Sequence, residues 1–254
     1  HNQSLFLSLL LLLRFHFSLS LGLPYCTRSS SSKQMSASDN CKNFKILLLH
    51  GKGENGPSFR SRISKFVDLY PEVHWEFATA PHLIGDSNEF AWWKLPPNVR
   101  SFEAQEYIGI DHTFQSIEQV WKDKGPFDAV LGYSQGAILI SAMLAKAALE
   151  DFCFKPQFAI LVGAAWPQPF DALMTRLESA GGPDHATGGR FAPKTLHVIS
   201  PQDRVNPPVM AARIRKLMGP GSSEYPHSFG HTVPLDGEGI AAMAGFLGLP
   251  ARSP

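Results

Sequence analysis

Charge of either sign is scarce in this sequence, and cysteine is scarcer. Lysine and arginine number 23 against 22 acidic residues, a formal net charge of +1 over 254 residues with no long block of like charge. Such a chain presents no field for a polyanion, so no nucleic-acid partner is expected. Its three cysteines, Cys26, Cys41 and Cys153, form no CxxC pair and have no histidine-rich neighbourhood. That excludes a disulfide framework and a zinc site from the expectations, and Cys153 reads as a small buried hydrophobe. Long apolar runs are missing too. The run near the N-terminus stops at Arg14, short of the roughly 20 residues that a spanning helix needs, so no stable membrane span is expected.

The first forty residues stand apart in composition. "SLFLSLLLLLRFHFSLSLGLPYCTRSSSSKQMSASDN" has no acidic residue before Asp39, and its leucine run followed by a Ser/Arg-rich stretch resembles a targeting segment. A second reading stays open beside it. The chain begins with His1, its first methionine is Met35, and "MSASDNCKNFKILLLHG" would open a protein that runs straight into its first strand. In that case residues 1–40 lie upstream of the mature protein and the expected localisation is cytoplasmic, with the nucleus open beside it; a genuine targeting segment would make it organellar or secretory. On either reading the segment is set aside, leaving 41–250 as one expected domain.

What is abundant from Asn43 onward is alternation. Short apolar runs ("FKILLLH", "VHWEFA", "FDAVLGY", "FAILVGA", "TLHVIS" and a last one near Tyr225) are separated by segments of helical pattern. Strands apolar at nearly every position, each followed by a helix, imply α/β architecture with a mostly parallel sheet and helices on both faces. "SFRSRISKFVDLY" reads as one helix and "DHTFQSIEQVWKDK" as another, with Asp111 as its N-cap. Residues 81–110, rich in proline and tryptophan and without a sustained period, read as a long functional insertion. Ser179 to Arg190 reads as a surface loop.

Gly132, Ser134 and Gly136 fall where the strand "FDAVLGY" becomes the helix "QGAILISAML". A serine raised on a sharp strand-to-helix turn, with glycines where side chains would collide, is a nucleophile elbow. Its hydroxyl needs a base, and the base an orienting carboxylate, arriving later in the chain as acid and then histidine. Asp203, in "PQDRVNPP" after a strand, occupies the acid's place better than Asp171, Asp184 or Asp236. "PHSFGHTVP" offers His231 and, as the alternative, His227; His197 lies inside a strand and reads as a core or surface residue. Two N–H groups must meet the developing oxyanion. The amide of Gln135 is one, and that of Lys52 in the glycine-rich "HGKGENG" is the other. Phe90, Trp92, Trp93 and Tyr107, in the insertion, are expected to wall a substrate pocket.

The segments "ILLLHGKGENG", "AWW", "GPFDAVLGYSQGA", "LHVISPQDRV" and "GHTVP", in that order between about Lys45 and Leu235, resemble the FSH-type serine hydrolases, a family of α/β-hydrolases. The resemblance implies Ser134, Asp203 and His231 as a catalytic triad. It also implies a small-molecule carboxylic ester or thioester as substrate and neither metal nor organic cofactor. Glu54 stands where glutamine is commoner, and "LVGAAWPQP" departs from the family's Gly-Phe segment. The alternatives within reach of the same residues are a lysophospholipase or acyl-protein thioesterase, and a noncatalytic receptor that keeps the pocket.

Overall fold

Strands that are apolar at nearly every position need cover on both faces, and that requirement shapes this molecule. The computed structural model describes residues 44–85 and 88–252; the expectation for the first forty residues, and Cys26 and Cys41 with it, lies outside them. One sheet contains β1 (Lys45–Leu49), β2 (His74–Ala78), β5 (Ala129–Tyr133), β6 (Phe158–Val162), β7 (Lys194–Ile199) and β8 (Ser222–Pro226). Its order is β2-β1-β5-β6-β7-β8, and every neighbouring pair is parallel. The insertion forms a separate hairpin of β3 (His82–Leu83) and β4 (Phe90–Ala91).

Alternate side chains along each strand point to opposite faces. Leu47, Leu49, Val130 and Leu161 pack with α3 (Ile110–Lys124), α4 (Gln135–Leu149), α5 (Asp171–Ser179) and α7 (Pro208–Met218). Ile46, Leu48, Leu131 and Val162 meet α1 (Gly56–Arg62), α2 (Ser64–Val67) and α8 (Gly237–Phe246) on the other face. The helix after the glycine-serine turn, α4, is apolar nearly all round, and all its residues are buried except Lys146 and Leu149. Such a helix belongs in an interior, and here α5 and α6 (Gly182–Thr187) cover it.

Local chemistry corrects four expectations. Asp111 is not the N-cap of α3; Gly109 caps it in a left-handed conformation (φ 85°), and Asp111 sits in the first turn, where an acid suits the helix dipole. The first helical segment starts earlier, at Gly56, because Asn55 and Ser58 form a reciprocal capping box, and it breaks at Ile63 into α1 and α2. Within the expected surface loop, α6 forms instead. Gly182, Pro183 and Thr187 are buried there, and the Thr187 hydroxyl donates to the Pro183 carbonyl (2.9 Å) and accepts from the Phe191 amide (2.9 Å). Cys153 is exposed, since its neighbours Phe152 and Phe154 take the inward positions.

His197 is wholly buried in β7, with Nε2 beside the Thr195 hydroxyl at 3.0 Å. Burial, helped by the charge of Arg215, pushes its pKa from 6.5 down to about 3. The unfolded chain therefore takes up a proton below about pH 6.5 that the native state refuses until about pH 3. Stability from this residue is complete above that window and falls as the pH drops through it, with a slope approaching about 1.4 kcal/mol per pH unit. In His197→Gln, unfolding free energies from urea titrations between about pH 6 and 4 should lose that part of the slope; an unchanged slope would contradict the assignment.

Candidate active site

The carboxyl ends of parallel strands gather loops and helix N-termini at one edge. Here β1 leads into the glycine-rich loop, β5 into Ser134, β7 into the Asp203 loop and β8 into the His231 loop. Ser134 adopts φ 53° and ψ −115°, a region that side chains rarely occupy; holding it there costs about 1–3 kcal/mol. Its flanking glycines are needed for close approach. A Cβ on Gly132 would lie 2.6 Å from the backbone of Gly136, and one on Gly136 would lie 2.2 Å from the Leu49 carbonyl oxygen. The start of α4 is thus pressed against the end of β1.

The three residues picked for the triad meet. Nδ1 of His231 lies 2.6 Å from Asp203 Oδ2, and Nε2 lies 2.8 Å from Ser134 Oγ. Burial by itself would raise the Asp203 pKa, but hydrogen bonds from His231 and from the amides of Asn206 and Val205 outweigh it and hold the carboxyl below its usual value. An ionised Asp203 only accepts, so His231 carries its proton on Nδ1. Nε2 is left as the acceptor for the serine hydroxyl. Both amide bonds fall on Asp203 Oδ1, at 2.8 Å from Val205 and 2.9 Å from Asn206, which reserves Oδ2 for the imidazole. A hydroxyl bonded to a neutral imidazole that is itself held by a carboxylate has the arrangement needed for nucleophilic attack.

The rival candidates are placed elsewhere. His227 packs between Tyr225 and Phe229, Asp171 accepts from the Trp166 indole, Asp236 caps α8, and Asp184 lies in the first turn of α6.

The amide of Gln135 opens α4, where helix geometry leaves the first N–H groups without an intrahelical acceptor. In the glycine-rich loop, Gly51 N–H donates to Glu54 Oε2 (3.1 Å), Gly53 N–H to the Phe90 carbonyl (2.8 Å) and Gly56 N–H to the Thr79 hydroxyl (3.0 Å). The loop spells G-x-G-x-x-G at Gly51, Gly53 and Gly56, but with these amides committed it makes no phosphate cradle. Among the described residues the Lys52 amide meets no acceptor within the protein.

Three of the four insertion aromatics differ from the expected pocket wall. Trp92 and Trp93 are 0% exposed and Tyr107 2%, so they present no surface to a ligand; Phe90 retains partial exposure. Hydrogen bonds hold Trp92 and the backbone of Trp93 inward, while the Trp93 indole N–H is buried without a partner among the described residues. The Trp92 indole donates to the His50 carbonyl (2.8 Å), Trp92 N–H donates to the Gln135 side-chain oxygen (2.7 Å), and the Gln135 side-chain NH2 donates to the Trp93 carbonyl (3.1 Å). Trp93 in turn stacks on Tyr107, with ring centroids 4.0 Å apart. The residue after the serine thereby fastens the insertion to the elbow.

Sequence reasoning missed His50, Tyr133 and Gly163. Buried His50 accepts from Ala80 N–H at Nε2 (3.0 Å), so its Nδ1–H donates to the Gly51 carbonyl (2.7 Å), and burial lowers its pKa. The Tyr133 hydroxyl donates to the His231 carbonyl (2.8 Å). Gly163 takes a left-handed φ of 59°, where a Cβ would lie 3.1 Å from the His231 ring. The detectable signals were a histidine and a glycine directly after buried strands. Among the described residues no His/Cys/Asp/Glu cluster could hold a metal, and no helix is long and apolar enough to cross a membrane.

Comparison with known proteins bears on the family and the fold. Residues 35–243 match the family model described as "Serine hydrolase (FSH1)". The chain is 30% identical over 217 residues to the esterase OVCA2 of Danio rerio, covering 75% of this chain and 90% of that protein. It is 26% identical over 227 residues to the esterase CG5412 of Drosophila melanogaster, covering 82% and 75%. Its fold is that of acyl-protein thioesterase 2 from Zea mays, with a TM-score of 0.60 at 20% identity over 81% of this chain and 92% of that one. Esterase PE8 has a TM-score of 0.59 at 20% identity, covering 80% and 91%. These folds are α/β-hydrolase folds, as the sequence pattern led one to expect. With the family model spanning most of the chain, this protein belongs to the FSH1 family of serine hydrolases, enzymes of the esterase type.

Proposed function

We propose that this enzyme cleaves carboxylic esters or thioesters of apolar acyl groups by two-step acyl transfer on Ser134. The observation that carries the reading is the continuous chain from Asp203 through His231 to Ser134, with links of 2.6 and 2.8 Å. His231 Nε2 takes the Ser134 proton as Oγ bonds to the acyl carbon, and the carbonyl electrons move onto its oxygen. The amides of Gln135 and Lys52 hold that oxyanion. As it collapses, the bond to the leaving oxygen or sulfur breaks, and His231 returns the proton to the leaving group. Water, deprotonated by the same imidazole, then attacks the acyl-serine, the bond from the acyl carbon to Oγ breaks, and His231 returns the proton to Ser134 as the acid leaves.

Exposed apolar residues on the loops that carry the triad, and in the insertion, support an apolar acyl group. Phe229 is 54% exposed two residues before His231, Val205 is 38% exposed two residues after Asp203, and Phe90 is partly exposed. Each acyl methylene that such surface takes from water contributes up to about 0.8 kcal/mol, or roughly fourfold in kcat/KM. A series of aryl esters and matched acyl thioesters from acetyl upward, run beside lysophospholipids, tests this. The expected result is kcat/KM rising with chain length over the first several carbons. A flat series would contradict the apolar acyl site, turnover confined to lysophospholipids would assign the rival hydrolase, and tight binding without turnover would make the protein a receptor.

A further inference from the structure

The glycine-rich loop carries a charge that acyl transfer does not explain. Glu54 accepts the Gly51 amide at 3.1 Å through Oε2, and its own N–H returns to the Gly51 carbonyl at 3.3 Å. This closes a tight ring around Lys52 and sets the direction of the free amide there. It also puts a carboxylate two residues from a donor proposed to meet an oxyanion. Negative charge at that place opposes the charge that develops in the transition state.

One side chain offsets it. Arg62, at the end of α1, donates from Nη1 to Glu54 Oε1 at 2.9 Å, and its guanidinium lies 4.1 Å from the centre of the Tyr133 ring. Tyr133 precedes the serine and donates to the His231 carbonyl at 2.8 Å. Gly51 packs on the same ring so closely that a Cβ there would lie 2.8 Å from Tyr133 Cδ1. The guanidinium therefore touches the loop bearing Lys52 through Glu54 and the elbow through Tyr133, and reaches the histidine loop through the tyrosine hydroxyl.

We infer that Glu54 and Arg62 are positioning residues for the oxyanion step. Glu54 shapes the loop that presents the Lys52 amide, and Arg62 neutralises Glu54 while clamping the loop to Tyr133. The inference rests on the acyl-transfer reading of Ser134. Neither side chain needs to touch the substrate, so the pair acts on kcat and leaves KM nearly alone.

Aryl-ester kinetics on the full chain, with thermal unfolding in parallel, test it. Arg62→Gln should lower kcat about 10- to 100-fold with KM changed less than about threefold. Adding Glu54→Gln to that variant keeps an acceptor for the Gly51 amide and removes the charge left unpaired, so it should recover the part of the lost kcat that the unpaired charge cost. Glu54→Ala, with Arg62 intact, removes the acceptor and should cost at least about tenfold in kcat. The inference is overturned if Arg62→Gln retains its kcat, or if the double variant is as slow as the single one, the outcome expected of a purely structural arginine. Should Arg62→Gln fail to fold, an unimpaired Glu54→Ala overturns it. An inactive wild type would overturn the acyl-transfer reading as well, whereas an active wild type with an unaffected Arg62→Gln overturns this inference alone.

Discussion

Ser134→Ala should remove ester turnover on the order of a millionfold while leaving a folded protein. The size of the loss follows from what Oγ does, since it is both the attacking atom and the partner of His231 Nε2 at 2.8 Å. The intact fold follows from what Oγ does not do. Ser134 occupies the N-cap position of α4 but makes no capping hydrogen bond with its side chain, so alanine forfeits no cap. Its strained φ of 53° burdens serine and alanine alike. Thermal unfolding should shift by only a few degrees, a surface-scale change of about 0.5 kcal/mol. Turnover within tenfold of the wild type would remove Ser134 from the chemistry.

Asp203→Asn should lower kcat by about four orders of magnitude and leave KM near its original value. Two backbone amides, from Val205 and Asn206, converge on Oδ1 at 2.8 and 2.9 Å. They would keep the amide oxygen of asparagine in that place and turn its NH2 toward His231. An NH2 group donates to Nδ1 and so forces the imidazole proton onto Nε2. Histidine then offers a donor where the serine proton needs an acceptor. Substrate binding, which does not involve this carboxyl, is untouched. A loss below about tenfold would mean that the tautomer of His231 is set by something else.

Much of this site was legible because its parts are short-range or ordered along the chain. Glycines at 132 and 136 around a serine, between an apolar run and an apolar helix, mark a close approach of helix to strand, and the 2.2 Å that a Cβ on Gly136 would leave to Leu49 O is that approach measured. Asp203 and His231 were found because each follows a recognisable strand in the right order. What escaped depends on partners far apart in sequence. Nothing in "AWW" tells that Gln135, 43 residues on, would bind the backbone of both tryptophans and draw them fully inside. Side-chain preference points to Asp111 as the cap of α3, whereas the left-handed turn that glycine supplies places the cap at Gly109. The apolarity of Cys153 points it inward, but the large rings of Phe152 and Phe154 take the buried positions and leave it exposed. The linking of Glu54, Arg62 and Tyr133 is likewise tertiary, joining a loop, a helix end and a strand end.

Acyl transfer through Ser134 requires a covalent acyl group on its Oγ. Rapid-quench mass spectrometry of the protein mixed with an aryl ester, followed by peptide mapping, measures it directly. One acyl group per chain, carried by the peptide that contains Gly132, Ser134 and Gly136 and missing from Ser134→Ala, is the predicted result. Turnover with no adduct at this peptide, or an adduct that persists on the alanine variant, would contradict it.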